Sequence, residues 1–475
     1  MNRNQPVEDE MVYGEYDVDE ELSEDLQDYD ECTKEPVDLA KLRIAQLDEE
    51  RAERVAKRRQ PSNPIKRALH RIIPYGGIVS SGFNLASSSL GSGIIALPYA
   101  FNTSGLAMAI IYLVMVGLLT IYSFRMMGIA GKRTGLRNYE QVTAMILGRF
   151  AGYFLAFVML LLSFGAEVSY VISMGDLIGA FVNNSDAPAY LKTTSGRRVL
   201  TAAVWLVAML PPCLPKEVNS LRHLSVIAVL CIVFFVICMV IHSARNGLAH
   251  GPRKDLVYFQ TGNAGIEGLS IFTFAFISQM NCYEVYEEMY KPGVNRLTKS
   301  AAVGVFLGFC LYFSAGLFGY LDFGPAVTGS VLKQYNPIED KMMAVAYAGI
   351  IWKLCVGYGL HMIPVRDAVY HFLHIDVKKL AWWKNAMICT FMATCSLVAG
   401  FFIPNVNVVF GLVGGFCGGF MAFIIPALLY MYSGHWSLQS VGFFNYFATY
   451  FLLIVGVIAV VFGTAAAVYG EVQRH

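Results

Sequence analysis

The first residues in this sequence that could do chemistry stand inside an apolar run. Ser87-Ser88-Ser89 is followed by Gly91-Ser92-Gly93 and then by Ile94-Ile95-Ala96-Leu97-Pro98. Three hydroxyls and a Gly-Ser-Gly are poor choices for the middle of a helix, where each glycine costs about 1 kcal/mol relative to alanine. If the run crosses a membrane, backbone freed at this point must face protein or a wet cavity. The pattern predicts a broken helix whose second half starts near Gly91–Gly93. That half presents free N–H groups and the positive end of its dipole, a seat for a carboxylate. The competing reading is a close helix–helix contact through small residues. A second interruption follows the aromatic stretch Phe272-Thr273-Phe274-Ala275-Phe276, which runs into Ile277-Ser278-Gln279-Met280-Asn281-Cys282-Tyr283-Glu284.

Two charges also lie within apolar runs, and charge at membrane depth marks a functional position by default. Glu167 sits in Ser163–Tyr170, and Lys353 opens the stretch Lys353-Leu354-Cys355-Val356-Gly357-Tyr358-Gly359. A carboxylate at Glu167 suits a cationic ligand; equally, it can pair with Lys353 or hold a proton. Lys353 can serve as a fixed or titrating cation, or it can be a salt-bridged or snorkelling lysine. Glu284, Glu287 and Glu288 read as interfacial.

The elements that must position these residues follow from composition. The chain has 475 residues, 56% hydrophobic and only 15% charged, with a mean hydropathy of +0.50. Soluble chains are about 25% charged. Eleven apolar segments are expected, at roughly 77–101, 105–128, 151–182, 199–215, 222–244, 265–283, 300–323, 342–372, 386–404, 407–432 and 446–469. A spanning helix needs about 20 residues. The fourth segment is short and ends in Pro211, Pro212 and Pro215, while the third and eighth are long enough to tilt or overrun the bilayer. The two interruptions fall in the first and sixth segments, each the first helix of a set of five. Paired interruptions at matching places point to an inverted-repeat transporter.

Charge is divided along the chain. Residues 1–53 hold 19 acidic and 5 basic side chains, whereas residues 54–475 hold 16 acidic and 31 basic ones. The acidic stretch, poor in bulky apolar residues, reads as mostly disordered, with a helix-prone part at 38–60. Arg54, Lys57, Arg58, Arg59, Lys66, Arg67 and Arg71 form a basic stretch before the first segment, a cytosolic topology signal. With the N-terminus inside, 21 of the 31 bases fall on the cytosolic side and nine outside. The expected division is a cytosolic tail over 1–74, a transmembrane domain over 75–470, and a short external C-terminus over 471–475. No cleavable signal peptide precedes the first segment. Asn183-Asn184-Ser185 is a glycosylation sequon close against the end of the third segment, with Asn183 the acceptor.

Nine of the ten cysteines fall within or at the ends of apolar runs, and no spacing suggests a disulfide framework or a metal site. The sequence has no HExxH, GxSxG or nucleotide loop, which argues against a membrane enzyme, and no cofactor is expected. The composition excludes a nucleic-acid-binding domain.

Phe83-Asn84-Leu85 followed by Gly91-Ser92-Gly93-Ile94 resembles the first-helix signature of the amino acid/auxin permease family. The likeness continues in Leu230–Phe235, in Phe274-Ala275-Phe276, in Ile363-Pro364-Val365-Arg366-Asp367-Ala368-Val369, and from Ile403-Pro404 through Phe410–Gly414 to Phe423–Ala427. It covers residues 75–470, and the branch is most similar to protozoan members. This resemblance implies an all-α fold with a LeuT-like five-plus-five inverted repeat, α-amino-acid substrates and alternating access. By matching positions it implies that Ser88, Gly91, Ser92 and Gly93 meet the substrate's carboxylate and amine, and that Phe274 and its neighbours, Ser278 among them, line the pocket. Asp176, in a matching Gly-Asp, is implied to be structural.

Two departures from the family pattern bear on coupling. Asn84 matches an ion ligand of sodium-coupled members, but the eighth segment has no short hydroxyl near Lys353. Many members carry a His on the sixth helix where this chain has Gln279. The expectation is therefore a multi-pass permease driven by protons or by membrane potential. Its expected substrate is arginine or lysine, with Glu167 as counter-charge. A neutral amino-acid transporter or a sensor of the same fold is the alternative. The plasma membrane is the expected location, with a lysosomal or vacuolar membrane as alternative; the partner of the tail is unknown.

Overall fold

The structure, a computed structural model, describes residues 74–215, 222–248, 253–327, 329–372, 380–434 and 436–472, together with Gly251 and positions 49, 52, 53, 55 and 56. Those five tail positions are helical. The rest of the acidic stretch, the basic stretch and the last three residues lie outside the described residues.

The described elements are helical. The first apolar segment is two helices, α1 (Ile78–Ser89) and α2 (Gly93–Ser104). The continuous helix α3 (Leu106–Thr134) follows, and then the short α4 (Tyr139–Leu147), whose N-cap Asn138 accepts from the N–H groups of Glu140 and Gln141. Such a cap supplies partners that a helix start lacks. The third segment is α5 (Arg149–Asn184), 36 residues long. The fourth begins as α6 (Thr194–Val204), widens into a π turn at Trp205–Met209 and tightens to a 3-10 turn at Pro211–Cys213. Its prolines, which cannot donate a backbone bond, end it there. The fifth is α7 (Arg222–His242), which runs on as a π turn.

The second half repeats the pattern. The sixth segment is broken into α8 (Asn263–Phe276) and α9 (Cys282–Glu288). Four long helices follow: α10 (Val294–Phe323), α11 (Lys341–Phe372), α12 (Trp382–Phe402) and α13 (Val406–Tyr432). Within α13, residues Val413–Ile424 are π-helical. The last, α14, covers Phe443–Gly470. Among the described residues, eight helices are long and apolar enough to cross a membrane. The first, fourth and sixth segments are not among the eight, because each is interrupted or ends early.

Packing relates the halves. The first segment meets the sixth through α2 on α8, the second meets the seventh through α3 on α10, and the third meets the eighth through α5 on α11. Each pair is five segments apart, as expected where two inverted copies of five helices cross around a common axis. The helix α1 lies along α10, and α13 packs between α8 and α14. Most buried side chains form one apolar cluster, with wholly buried Tyr170, Tyr312 and Phe272 at its centre.

Candidate functional site

The first interruption falls where Leu90 turns out of the helical region, at φ −70° and ψ 80°. Ahead of it, Ser88 and Ser89 donate back to the carbonyls of Leu85 (2.8 Å) and Ala86 (3.0 Å), satisfying their hydroxyls inside α1. Gly91 N–H closes a tight turn onto Ser89 O at 2.8 Å. Helix α2 then starts at Gly93 with Ser92 as its N-cap, and no side chain caps it. An uncapped helix start leaves N–H groups available.

What faces this point comes from α5, α11 and α8. Ser92 Oγ lies 2.7 Å from Ser169 Oγ on α5, both buried. The N–H of the same Ser92 faces the hydroxyl of the adjacent, wholly buried Tyr170. A Cβ on Gly91 would lie 3.2 Å from that hydroxyl. A Cβ on Gly357 of α11 would lie 2.9 Å from the Tyr170 ring, so Gly357 is what lets Tyr170 reach the break. His361, one turn further, sets its ring edge-on to Tyr170 at 5.4 Å and its Nδ1 at 2.9 Å from Gly357 O. On the other side Phe274 of α8 would be 3.3 Å from a Cβ on Gly93, and it packs on Phe410 of α13 at 4.7 Å.

The second interruption is built differently. Helix α8 stops at Phe276; Ile277 and Ser278 are extended or irregular, and a 3-10 turn over Gln279–Asn281 leads into α9. Its polar groups are consumed locally. Ser278 N–H donates to Gln279 Oε1 at 3.0 Å, and Ser278 Oγ to Phe276 O at 3.3 Å. Gln279 is wholly buried, and its amide nitrogen has no hydrogen-bond partner among the described residues.

The remaining candidates are scattered. Asn84 is exposed and donates to Glu288 Oε2 of α9 at 3.3 Å, two turns from the break. Lys353 is buried and forms no ion pair among the described residues. It shares one stripe of α11 with Gly357 and His361, because side chains four apart stack on one face. Glu167 is 0% exposed; among the described residues the Ser396 hydroxyl faces its carboxylate, which makes no hydrogen bond of good geometry. Two residues before Ser169 it points about 200° round α5 from that residue, and three before Tyr170 it lies within about 60° of that one. Its surroundings are Tyr358, Cys213, Cys389 and Ser396. The Ser396 hydroxyl is taken up by Ala393 O (3.0 Å) and Tyr358 Oη (2.6 Å). The expected Glu167–Lys353 pair is not formed. Asp176 pairs instead with Lys333 at 3.1 Å, tying α5 to the loop between α10 and α11. Asn183 is exposed at the C-terminal end of α5.

Sequence reasoning missed Ser169, Tyr170, Gly357, His361 and Tyr312. Nothing in a uniformly apolar helix marks which aromatic or glycine faces a break on another element.

A small-residue break with an open helix start, set inside two crossed sets of five helices, defines a transporter of the inverted-repeat class. The chain belongs to the family described as "Transmembrane amino acid transporter protein", whose match spans residues 75–469. It is accordingly a multi-pass membrane transporter and not an enzyme. Sodium-coupled neutral amino acid symporter 2 of Danio rerio is 26% identical over 414 residues, covering 80% of this chain and 81% of its own length. The fold is similar to that in the crystal structure of MhsT in complex with L-phenylalanine, with a TM-score of 0.53 and 14% identity, over 81% of this chain and 98% of that one.

Proposed function

We propose that this chain is a secondary active transporter of neutral α-amino acids, working by alternating access, with its N-terminus in the cytosol and the plasma membrane as its location. The observation that carries the reading is the open start of α2 between Ser169–Tyr170 and Phe274. A substrate carboxylate would lie over the start of α2 at Gly93, where the helix dipole favours it. Ser88 and Ser92 border that position, and Phe274 and Ser278 would line the side-chain end.

None of the side chains set against Gly91–Gly93 is a carboxylate, which favours a neutral substrate. The Danio rerio relative, by its name a neutral amino acid symporter, supports the same reading. A second reading, arginine or lysine transport, draws on Glu167, a buried carboxylate that makes no hydrogen bond of good geometry among the described residues. A buried charge needs a counter-charge or a proton, but the neighbours of Glu167 are Tyr358, Cys213, Cys389 and Ser396 and not the groups set against Gly91–Gly93, so the neutral reading is preferred. Sodium coupling is not proposed, since α11 has no short hydroxyl near Lys353 and Asn84 lies two turns from the break. Protons are the proposed drive.

The test is competition uptake by the full chain in vesicles. Neutral amino acids should displace labelled substrate, and uptake should persist without sodium and respond to a pH gradient. Uptake restricted to arginine and lysine would overturn the substrate class. Binding without any uptake would make the chain a sensor.

A further inference from the structure

Tyr312, on α10, is wholly buried and aims its hydroxyl at two carbonyls, Ser89 O and Ala275 O, each 2.8 Å away. Ser89 is the last residue of α1, and Ala275 lies in the last turn of α8. Carbonyls at a helix end lack a partner in the next turn and carry the negative end of the dipole. Two such ends, one from each interrupted segment, therefore converge on one phenol. Ser89 O also accepts the Gly91 N–H, which connects the phenol through one atom to the turn ahead of α2. The ring is fixed edge-on to Phe276 at 5.1 Å.

Two convergent helix C-termini attract positive charge. A small hard cation with oxygen ligands is one way to satisfy them; the other is a strongly polarised donor. Here a single hydroxyl proton is shared between both acceptors. We propose that Tyr312 is a positioning residue that ties the two interrupted segments into one moving unit, and that its hydroxyl takes the part a bound small cation would otherwise play between them. The proposal rests on the transporter reading above. It assigns Tyr312 no contact with substrate.

Tyr312→Phe keeps the ring and removes only the donor. In vesicles holding the full chain, labelled amino-acid uptake would be compared in choline, sodium and lithium media, and melting of the purified protein followed in the same salts. Losing a buried hydrogen bond to two dipole ends should lower the variant's maximal rate in choline about tenfold. KM should change far less than the rate, because the substrate's own contacts remain. Sodium or lithium should restore part of the rate and raise the melting temperature of the variant but not of the wild type. A variant that transports like wild type in choline overturns the proposal. So does a slowed variant whose rate and melting ignore both cations. Should the variant not fold, the wild type still decides: a melting temperature raised by sodium or lithium over choline counts against it, and one indifferent to the salts supports it. Wild-type vesicles without any uptake would instead sink the transporter reading, while the melts still judge Tyr312.

Discussion

The two interruptions solve the same backbone problem with opposite chemistry. At the first, small residues make the break and the partners come from elsewhere: Ser169 and Tyr170 from α5, with Gly357 of α11 yielding space. At the second, the break supplies most of its own partners, Gln279 taking the Ser278 N–H and Ser278 capping Phe276, while the Ala275 carbonyl is met by Tyr312 of α10. A break satisfied by other helices changes when those helices move. A break satisfied by its own side chains keeps its shape. The first is suited to sense a ligand and the second to hold a wall.

This contrast predicts unequal sensitivity to substitution. The largest effect is expected at Gly91→Val and Ser92→Leu, which should bring uptake to background while surface expression persists. The added carbon atoms enter the space of Tyr170 and Ser169 and cover the start of α2. Near-normal substrate affinity in either variant would remove the first break from the site. Gly357→Ala comes next. Its Cβ would press on the Tyr170 ring, and overpacking of this kind costs about 1–3 kcal/mol, so both uptake and melting temperature should fall, in parallel with the displacement of Tyr170.

At the second break, Gln279→Leu should act mainly on stability. It strands the Ser278 N–H, a loss of about 1–3 kcal/mol, and should lower the melting temperature while substrate affinity stays close to wild type. An affinity loss as large as that of Gly91→Val would erase the distinction between the two breaks. Glu167→Gln keeps shape and removes the capacity for charge. Neutral uptake should stay near wild type at fixed potential, whereas its response to a pH gradient should weaken if Glu167 holds the coupling proton; a selective loss of arginine or lysine uptake would revive the cationic reading.

The smallest effect is expected at Asp255, in the loop before α8. Its carboxyl is held below the usual range by a hydrogen bond from Arg253 at 2.8–2.9 Å. A depressed carboxyl contributes above its ordinary titration range, and the contribution is lost as pH falls through the lowered value. The pair is solvent-exposed, so screening leaves little of it. Asp255→Asn should leave neutral-pH melting and uptake unchanged, and a marked drop in either would give this loop a larger part than its exposure suggests.

Both breaks were legible in the sequence, because serine, glycine and amide residues at membrane depth contradict the apolar pattern around them. The helix ends at Ser89 and Phe276 fall within the stretches that those residues marked. The counterparts were not legible. Tyr170 and Tyr312 stand in the apolar middle of long helices, where no periodicity separates the face that meets a break from the face that meets another helix. Glu167 shows the limit from the other side. Its type announced a role, but its direction depends on the register of α5, which its neighbour Ser169 reveals only once Ser92 is in place. Charge alone leaves a cationic ligand, a pair with Lys353 and a proton equally open to it. Lys353 instead shares its stripe of α11 with Gly357 and His361.

The π-helical stretch of α13 bears on how closely its two neighbours approach it. Its glycines fall in two rows. Gly414 and Gly418 meet α8 at Ser270 and Thr273, while Gly415 and Gly419 meet α14 at Ala459 and Gly456. Two surfaces without side chains of their own thus lie back to back on one rod. The side chains of Thr273, Ile277 and Val460 reach into the spaces the glycines leave, so α13 lies close against both neighbours and is met by single side chains at a time.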